Sequence, residues 1–196
     1  MSKPGMPSRE PAYFERLYYR NRDPWNFSNS TYEQEKYRAT IAALGKRRFQ
    51  SGCEIGCSIG VLTKMLAARC HTLLALDVVD TALVDAAHRC INERHVTFEK
   101  RQIPRDWPSK LKFDLIICSE ILYFLSSEDI SQLANKMNEG LMPGGDILLV
   151  NYTGPIDEPR NGNDAAKIMM AETSSFSKMS CNIKADRYRI DLLTKY

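Results

Sequence analysis

The residues of this chain best suited to chemistry lie together in Cys53-Glu54-Ile55-Gly56-Cys57-Ser58-Ile59-Gly60, where a carboxylate precedes two glycines in a short turn entered from an apolar run. Val61, Leu62, Met65, Leu66 and Ala68 then recur at helical spacing, so a strand, a glycine turn and a helix are expected in that order. Glycines in such a turn permit backbone angles and close approaches that a side chain blocks, letting the main chain lie against a bound nucleoside. A dinucleotide turn has the pattern G-x-G-x-x-G and points a helix N-terminus at a pyrophosphate. Here the middle glycine is absent, and Glu54 would repel a pyrophosphate. The turn suits a phosphate-free ligand that carries positive charge, with Glu54, Gly56, Cys57, Ser58 and Gly60 around it.

Further on, His71 to Leu76 reads as a second apolar strand closed by Asp77 and followed by Val78. A carboxylate at that strand end can accept hydrogen bonds from both hydroxyls of a ribose. S-adenosylmethionine has no phosphate, but it has an α-ammonium group, a sulfonium and a ribose, so its charges and hydroxyls answer both acidic residues. The plain alternative is that Glu54 and Asp77 cap neighbouring helices or pair with surface lysines. Arg101-Gln102-Ile103 falls where an adenine ring would be met: the Gln102 amide can bond the base edge, and Ile103 can offer its N–H and an apolar face.

The fourth apolar run, Phe113 to Cys118, leads into Ser119-Glu120-Ile121-Leu122-Tyr123. Ser119, Glu120 and Tyr123 are the candidates for facing an acceptor. A nucleophilic amine must be neutral to attack a methyl group, and a carboxylate can bind it as ammonium and then accept its proton; a carboxylate favoured by a helix dipole is the bland reading of Glu120. Methyl transfer from a sulfonium depends mainly on alignment and needs no metal or covalent intermediate. Upstream, Trp25, Phe27 and Tyr32 punctuate a polar stretch with Arg22, Lys36, Tyr37 and Arg38. Trp25 is expected to close over the ligand and Arg38 to bind its carboxylate, the alternative being that this stretch packs a leading helix onto the sheet.

The elements that must position these residues follow from patterning. A helix is expected from Thr31 to Leu44, then strands and helices alternate: strands near Cys53, at His71 to Val78, Val96 to Glu99, Phe113 to Cys118 and Ile147 to Tyr152, and helices from Val61, Asp80 and Glu128. This alternation predicts an α/β fold, a doubly wound, mostly parallel sheet in a three-layer sandwich, with ligands at the carboxyl ends of the strands. The C-terminal third is less regular, with a helix at Asp164 to Glu172 and a last strand at Tyr188 to Leu193.

With 196 residues and 43% hydrophobic content, one domain is expected over residues 1–196, with 1–45 a helical and aromatic lid segment and 46–196 the binding core. The net charge of +3, from 27 basic and 24 acidic residues, lacks the basic stripe of a nucleic-acid partner. The six cysteines have no C-x-x-C spacing and read as small apolar residues in a reducing compartment. The polar N-terminus, with Pro4, Gly5 and Pro7, has no signal core, and no apolar stretch approaches a membrane span. A cytoplasmic enzyme is the expectation.

Glu54 to Gly60, Asp77, Phe113 to Leu125 and Leu141-Met142-Pro143-Gly144-Gly145 together resemble the class I S-adenosylmethionine-dependent methyltransferases. Asp23-Pro24-Trp25-Asn26-Phe27, Tyr32-Glu33-Gln34-Glu35-Lys36-Tyr37, Ser119-Glu120-Ile121-Leu122-Tyr123 and Val150-Asn151-Tyr152-Thr153-Gly154-Pro155 are similar to the nodulation protein S family of rhizobia. That resemblance implies N-methylation of the free amine on the non-reducing glucosamine of a deacetylated chitooligosaccharide in Nod factor synthesis, with S-adenosylhomocysteine as the second product. Two departures stand out: Ser58 occupies the place where many relatives have a middle glycine, and Gln102 replaces the acidic residue common at the adenine site. The short stretch after the fifth strand implies an open cleft, which suits an extended oligosaccharide. Methylation of another small acceptor, or binding of the cofactor without catalysis, remains open on the motifs alone.

Overall fold

A computed structural model describes residues 6–196; Pro4 and Gly5 of the polar N-terminus lie outside the described residues. The chain gathers into two compact units, Glu10–Gln102 and residues 103–196 with residues 6–9.

In the first unit, α1 (Pro11–Arg20) and α2 (Thr31–Ala43) precede β1 (Phe49–Ile55), α3 (Val61–Ala67), β2 (Cys70–Asp77), α4 (Asp80–Arg89) and β3 (Val96–Lys100). The strands are parallel and ordered β3-β2-β1. Leu73, Leu74, Ala75 and Leu76 are all buried, the continuous apolar run of a parallel strand covered on both faces. Ser30 caps α2 by accepting from the Glu33 N–H at 3.3 Å. The helix α1 was not expected from the sequence, although Pro11 stands in its first turn, where a missing N–H costs nothing.

In the second unit, β4 (Phe113–Ser119), a 3-10 turn (Leu122–Phe124), α5 (Ser127–Gly140), β5 (Leu141–Tyr152), α6 (Gly162–Thr173), β6 (Ser177–Lys184) and β7 (Tyr188–Lys195) follow one another. Their strand order is β4-β5-β7-β6, with β4 and β5 parallel and both pairs involving β7 antiparallel. Leu115 to Cys118 are fully buried. The Pro143-Gly144-Gly145 turn lies inside β5: Phe113 pairs with Leu141 but Leu115 with Asp146, so residues 142–145 bulge outward. Ser126 and Asn161 cap α5 and α6 through the N–H groups of Asp129 and Asp164. β6 was also missed in the sequence, because its exposed positions alternate weakly around an irregularity between Met179 and Cys181.

The architecture is α/β with a mostly parallel strand set. No helix among the described residues is long and apolar enough to cross a membrane. Five of the six cysteines are buried, and Cys181 is half-buried.

One glycine fixes how α3 meets α4. Gly60 has φ +77°, and a Cβ there would lie 2.8 Å from the Ala86 Cα. Gly60→Ala therefore combines a left-handed backbone penalty with overpacking, and a loss of about 2–4 kcal/mol in unfolding free energy is expected by urea denaturation; an unchanged midpoint would contradict this packing.

Candidate functional site

The turn after β1 is tied to the end of β2 by backbone bonds. The N–H groups of Gly56 and Cys57 both donate to the Leu76 carbonyl, at 2.8 and 2.9 Å, which requires the chain to reverse sharply; Gly56 takes φ +77° to do so. Asp77 completes the tie. Its Oδ2 accepts from the Ser58 N–H at 2.8 Å and its Oδ1 from the Val79 N–H at 3.0 Å. Burial raises its carboxyl above the ordinary value, while the N–H groups of Ser58, Val79 and Val78 pull it back. A carboxylate offers about four acceptor directions, so acceptor capacity remains there for a ligand hydroxyl.

Ser58 explains its own departure from the glycine pattern. It holds φ +50°, the conformation a glycine adopts freely, and its hydroxyl shares a hydrogen bond with the Tyr18 phenol of α1. Tyr18 is 4% exposed, and burial first, then Asp77, raises its phenol well above the ordinary value, so it remains neutral. Sequence reasoning does not single out this residue, because its partner lies forty positions away and its one local signal is a place on the apolar side of α1. Cys57 is a buried thiol packed with Ala75 and Leu83, and burial raises it well above the ordinary value, which makes it inert rather than nucleophilic.

Glu54 is the anomaly of the unit. It is 1% exposed, and its Oε2 finds no hydrogen-bond partner among the described residues. Burial pushes its carboxyl up to about 8, the Thr63 hydroxyl lowers it and Asp77 raises it. An orphaned buried carboxyl is costly; a cation brought by a ligand would satisfy it, and a phosphate would not.

Of the other expected contacts in this unit, Trp25 is 37% exposed and stacks on Phe27 at 5.5 Å, with the Tyr18 ring edge-on at 5.8 Å. These aromatics are packed rather than loose, since Phe27 and Val78 also lie against the cluster of Tyr18, Ile59, Val79 and Ala82. Arg38 is exposed on α2, whereas the buried face of that helix carries Glu33, Lys36, Tyr37 and Thr40. Lys36 pairs with Glu33 at 2.9 Å. Gln102 is half-buried.

In the second unit Ile103 is 9% exposed and Ser119, the last residue of β4, 8%. Glu120 holds φ +62°, a strained conformation for a residue with a Cβ. It persists because the residue is tied at both ends: its N–H donates to the Val150 carbonyl at 2.8 Å, and its Oε2 accepts from the Tyr123 hydroxyl and the Tyr152 N–H, both at 2.8 Å. Strain of this kind marks functional positions when the surroundings enforce it. Tyr123 therefore orients Glu120. Asn151, beside Tyr152 on β5, is fully buried, and neither its Nδ2 nor its Oδ1 has a partner among the described residues.

The state of Glu54 has a measurable consequence for stability. With its carboxyl raised from 4.5 to about 8, the folded chain keeps a proton that the unfolded chain loses between those values. Its contribution is fully present below the unfolded value and is lost as pH rises toward the folded one, by about 1.4 kcal/mol per pH unit. The stability gained by Glu54→Gln should therefore grow between about pH 5 and about pH 8 in urea denaturation; a constant difference would show Glu54 to be ionised throughout.

The family model for nodulation protein S matches residues 14–148. Nodulation protein S of Azorhizobium caulinodans is 33% identical over 109 residues, 55% of this chain and 52% of the relative; that of Sinorhizobium fredii is 30% identical over 130 residues, 64% and 59%. The chain thus spans about half the length of these curated relatives. Among solved structures, the N-methyltransferase NodS from Bradyrhizobium japonicum WM9 in complex with S-adenosyl-L-homocysteine shares the fold with a TM-score of 0.80, at 20% identity over 94% of this chain and 97% of that one. A putative methyltransferase from Pseudomonas syringae is 28% identical, with a TM-score of 0.73 over 85% of this chain and 100% of that one. A match covering residues 14–148, together with that fold, means that the chain belongs to the nodulation protein S family.

Proposed function

We propose that the chain is an S-adenosylmethionine-dependent N-methyltransferase whose acceptor is the free amine of the non-reducing terminal glucosamine of a deacetylated chitooligosaccharide. The observation that carries the cofactor is the buried Glu54 carboxyl beside the glycine turn, whose Oε2 has no partner among the described residues; the acceptor rests on family membership. S-adenosylmethionine, when bound, supplies an electrophilic methyl group on a sulfonium.

The chain's own residues would hold and align the reactants. Glu54 pairs with the α-ammonium group, and Asp77 accepts from the ribose hydroxyls while keeping Ser58 and Val79 in place. Gln102, Ile103 and Val78 line the adenine, Trp25 covers the nucleoside, and Arg38 is the cation assigned to the α-carboxylate. Gly56 and Gly60 leave room for main chain to approach, with Cys57, Ser58 and Ser119 completing the wall. At the acceptor, Glu120 binds the amine as ammonium and takes its proton, so that the neutral nitrogen can attack. Tyr123 fixes the Glu120 carboxylate through its hydroxyl, and alignment does the remaining work. Residues 1–196 are read as one methyltransferase domain.

Incubation with methyl-labelled S-adenosylmethionine and a chitooligosaccharide bearing one free terminal amine tests the acceptor: label enters that sugar and not its fully acetylated counterpart. Binding of S-adenosylhomocysteine without any transfer to the sugar would contradict the acceptor and leave another small molecule in its place. Glu120→Gln should lower kcat by about 10²–10⁴-fold while S-adenosylhomocysteine affinity, followed by calorimetry, stays unchanged; undiminished turnover would remove Glu120 from the reaction.

A further inference from the structure

Tyr18 touches both turns that the proposed cofactor would meet. Its hydroxyl bonds the Ser58 side chain, and its ring packs with Ile59 of the turn after β1 and with Val79 of the turn after β2. Those turns are already joined by Asp77, which accepts from Ser58 and Val79. Ser58 keeps a left-handed backbone that glycine would adopt without strain, and the hydroxyl it gains is the one that meets Tyr18. A buried tyrosine needs a partner for its hydroxyl, and here that partner is the turn itself.

We infer that Tyr18 is a positioning residue for the cofactor site, clasping the two turns together so that docking of α1 and binding of the cofactor favour each other. The inference rests on the cofactor reading above. Coupling of this kind is reciprocal: an ordered α1 tightens binding, and a bound ligand steadies α1. The Trp25 ring, edge-on to Tyr18 and stacked on Phe27, extends the clasp to α2, where Phe27 meets the Tyr37 ring at 6.3 Å.

The test is calorimetric titration of the full chain with S-adenosylhomocysteine, using Tyr18→Phe, Ser58→Gly and the double variant. Tyr18→Phe keeps the ring and deletes the hydroxyl, so binding should weaken by about three- to tenfold. In the Ser58→Gly background the same change should cost nothing, because the bond is already gone. Amide exchange across Pro11–Arg20 should slow on saturation with S-adenosylhomocysteine in the parent chain and much less in Tyr18→Phe, a response that a merely structural tyrosine would not produce. Should Tyr18→Phe fail to fold, Ser58→Ala removes the same bond from the turn's side and replaces it in the comparison. Equal affinities, or a penalty that survives in the Ser58→Gly background, would overturn the clasp while leaving the cofactor reading intact. Failure of the parent chain to bind would overturn both.

Discussion

A carboxyl group buried at the end of β1 without a partner for one of its oxygens is the constraint around which the first unit is arranged. Glu54 is 1% exposed and its Oε2 is orphaned. The fold tolerates it by holding the group neutral, which is why burial moves it up to about 8. A purely structural position would be better filled by an apolar residue of similar size. The cost makes sense if a cation completes the site, because the desolvated carboxylate then has the one partner the protein withholds.

Everything near Glu54 keeps that opening in place. Gly56 and Cys57 are fastened to Leu76, Ser58 to Asp77, and Asp77 to Val79, so the two turns are tied together. Gly60 sets the contact of α3 with α4. Glu120 presents the opposite design in the second unit: a carboxylate supplied with two donors and a strained backbone. Its orientation is fixed by the protein alone, as the proposed alignment-controlled transfer would require.

The parts of the fold that were legible in the sequence are those with strong local signals. Leu73 to Leu76 and Leu115 to Cys118 announce buried parallel strands, and the acid and glycine spacing from Glu54 to Gly60 announces the turn. Asp77 was legible as a strand-end acid, but its bond to Ser58 was not, since hydrogen-bond partners nineteen positions apart leave no pattern. α1 escaped because its apolar positions are mainly aromatic and mixed with charge. β6 escaped because an irregular edge strand alternates poorly. Ser58 looked like a departure from the glycine pattern; the structure shows a serine in glycine's conformation, its hydroxyl used by Tyr18. On α2 the buried cation is Lys36 and Arg38 is exposed, a difference of helical phase that composition does not reveal.

Glu54 is proposed to sit protonated until the ammonium group of a bound cofactor ionises it. Calorimetric titration with S-adenosylhomocysteine near pH 7, repeated in buffers of different ionisation enthalpy, counts the protons exchanged on binding. Release of about one proton per ligand bound is expected in the parent chain and none in Glu54→Gln. No binding, or the same release in both proteins, would contradict it.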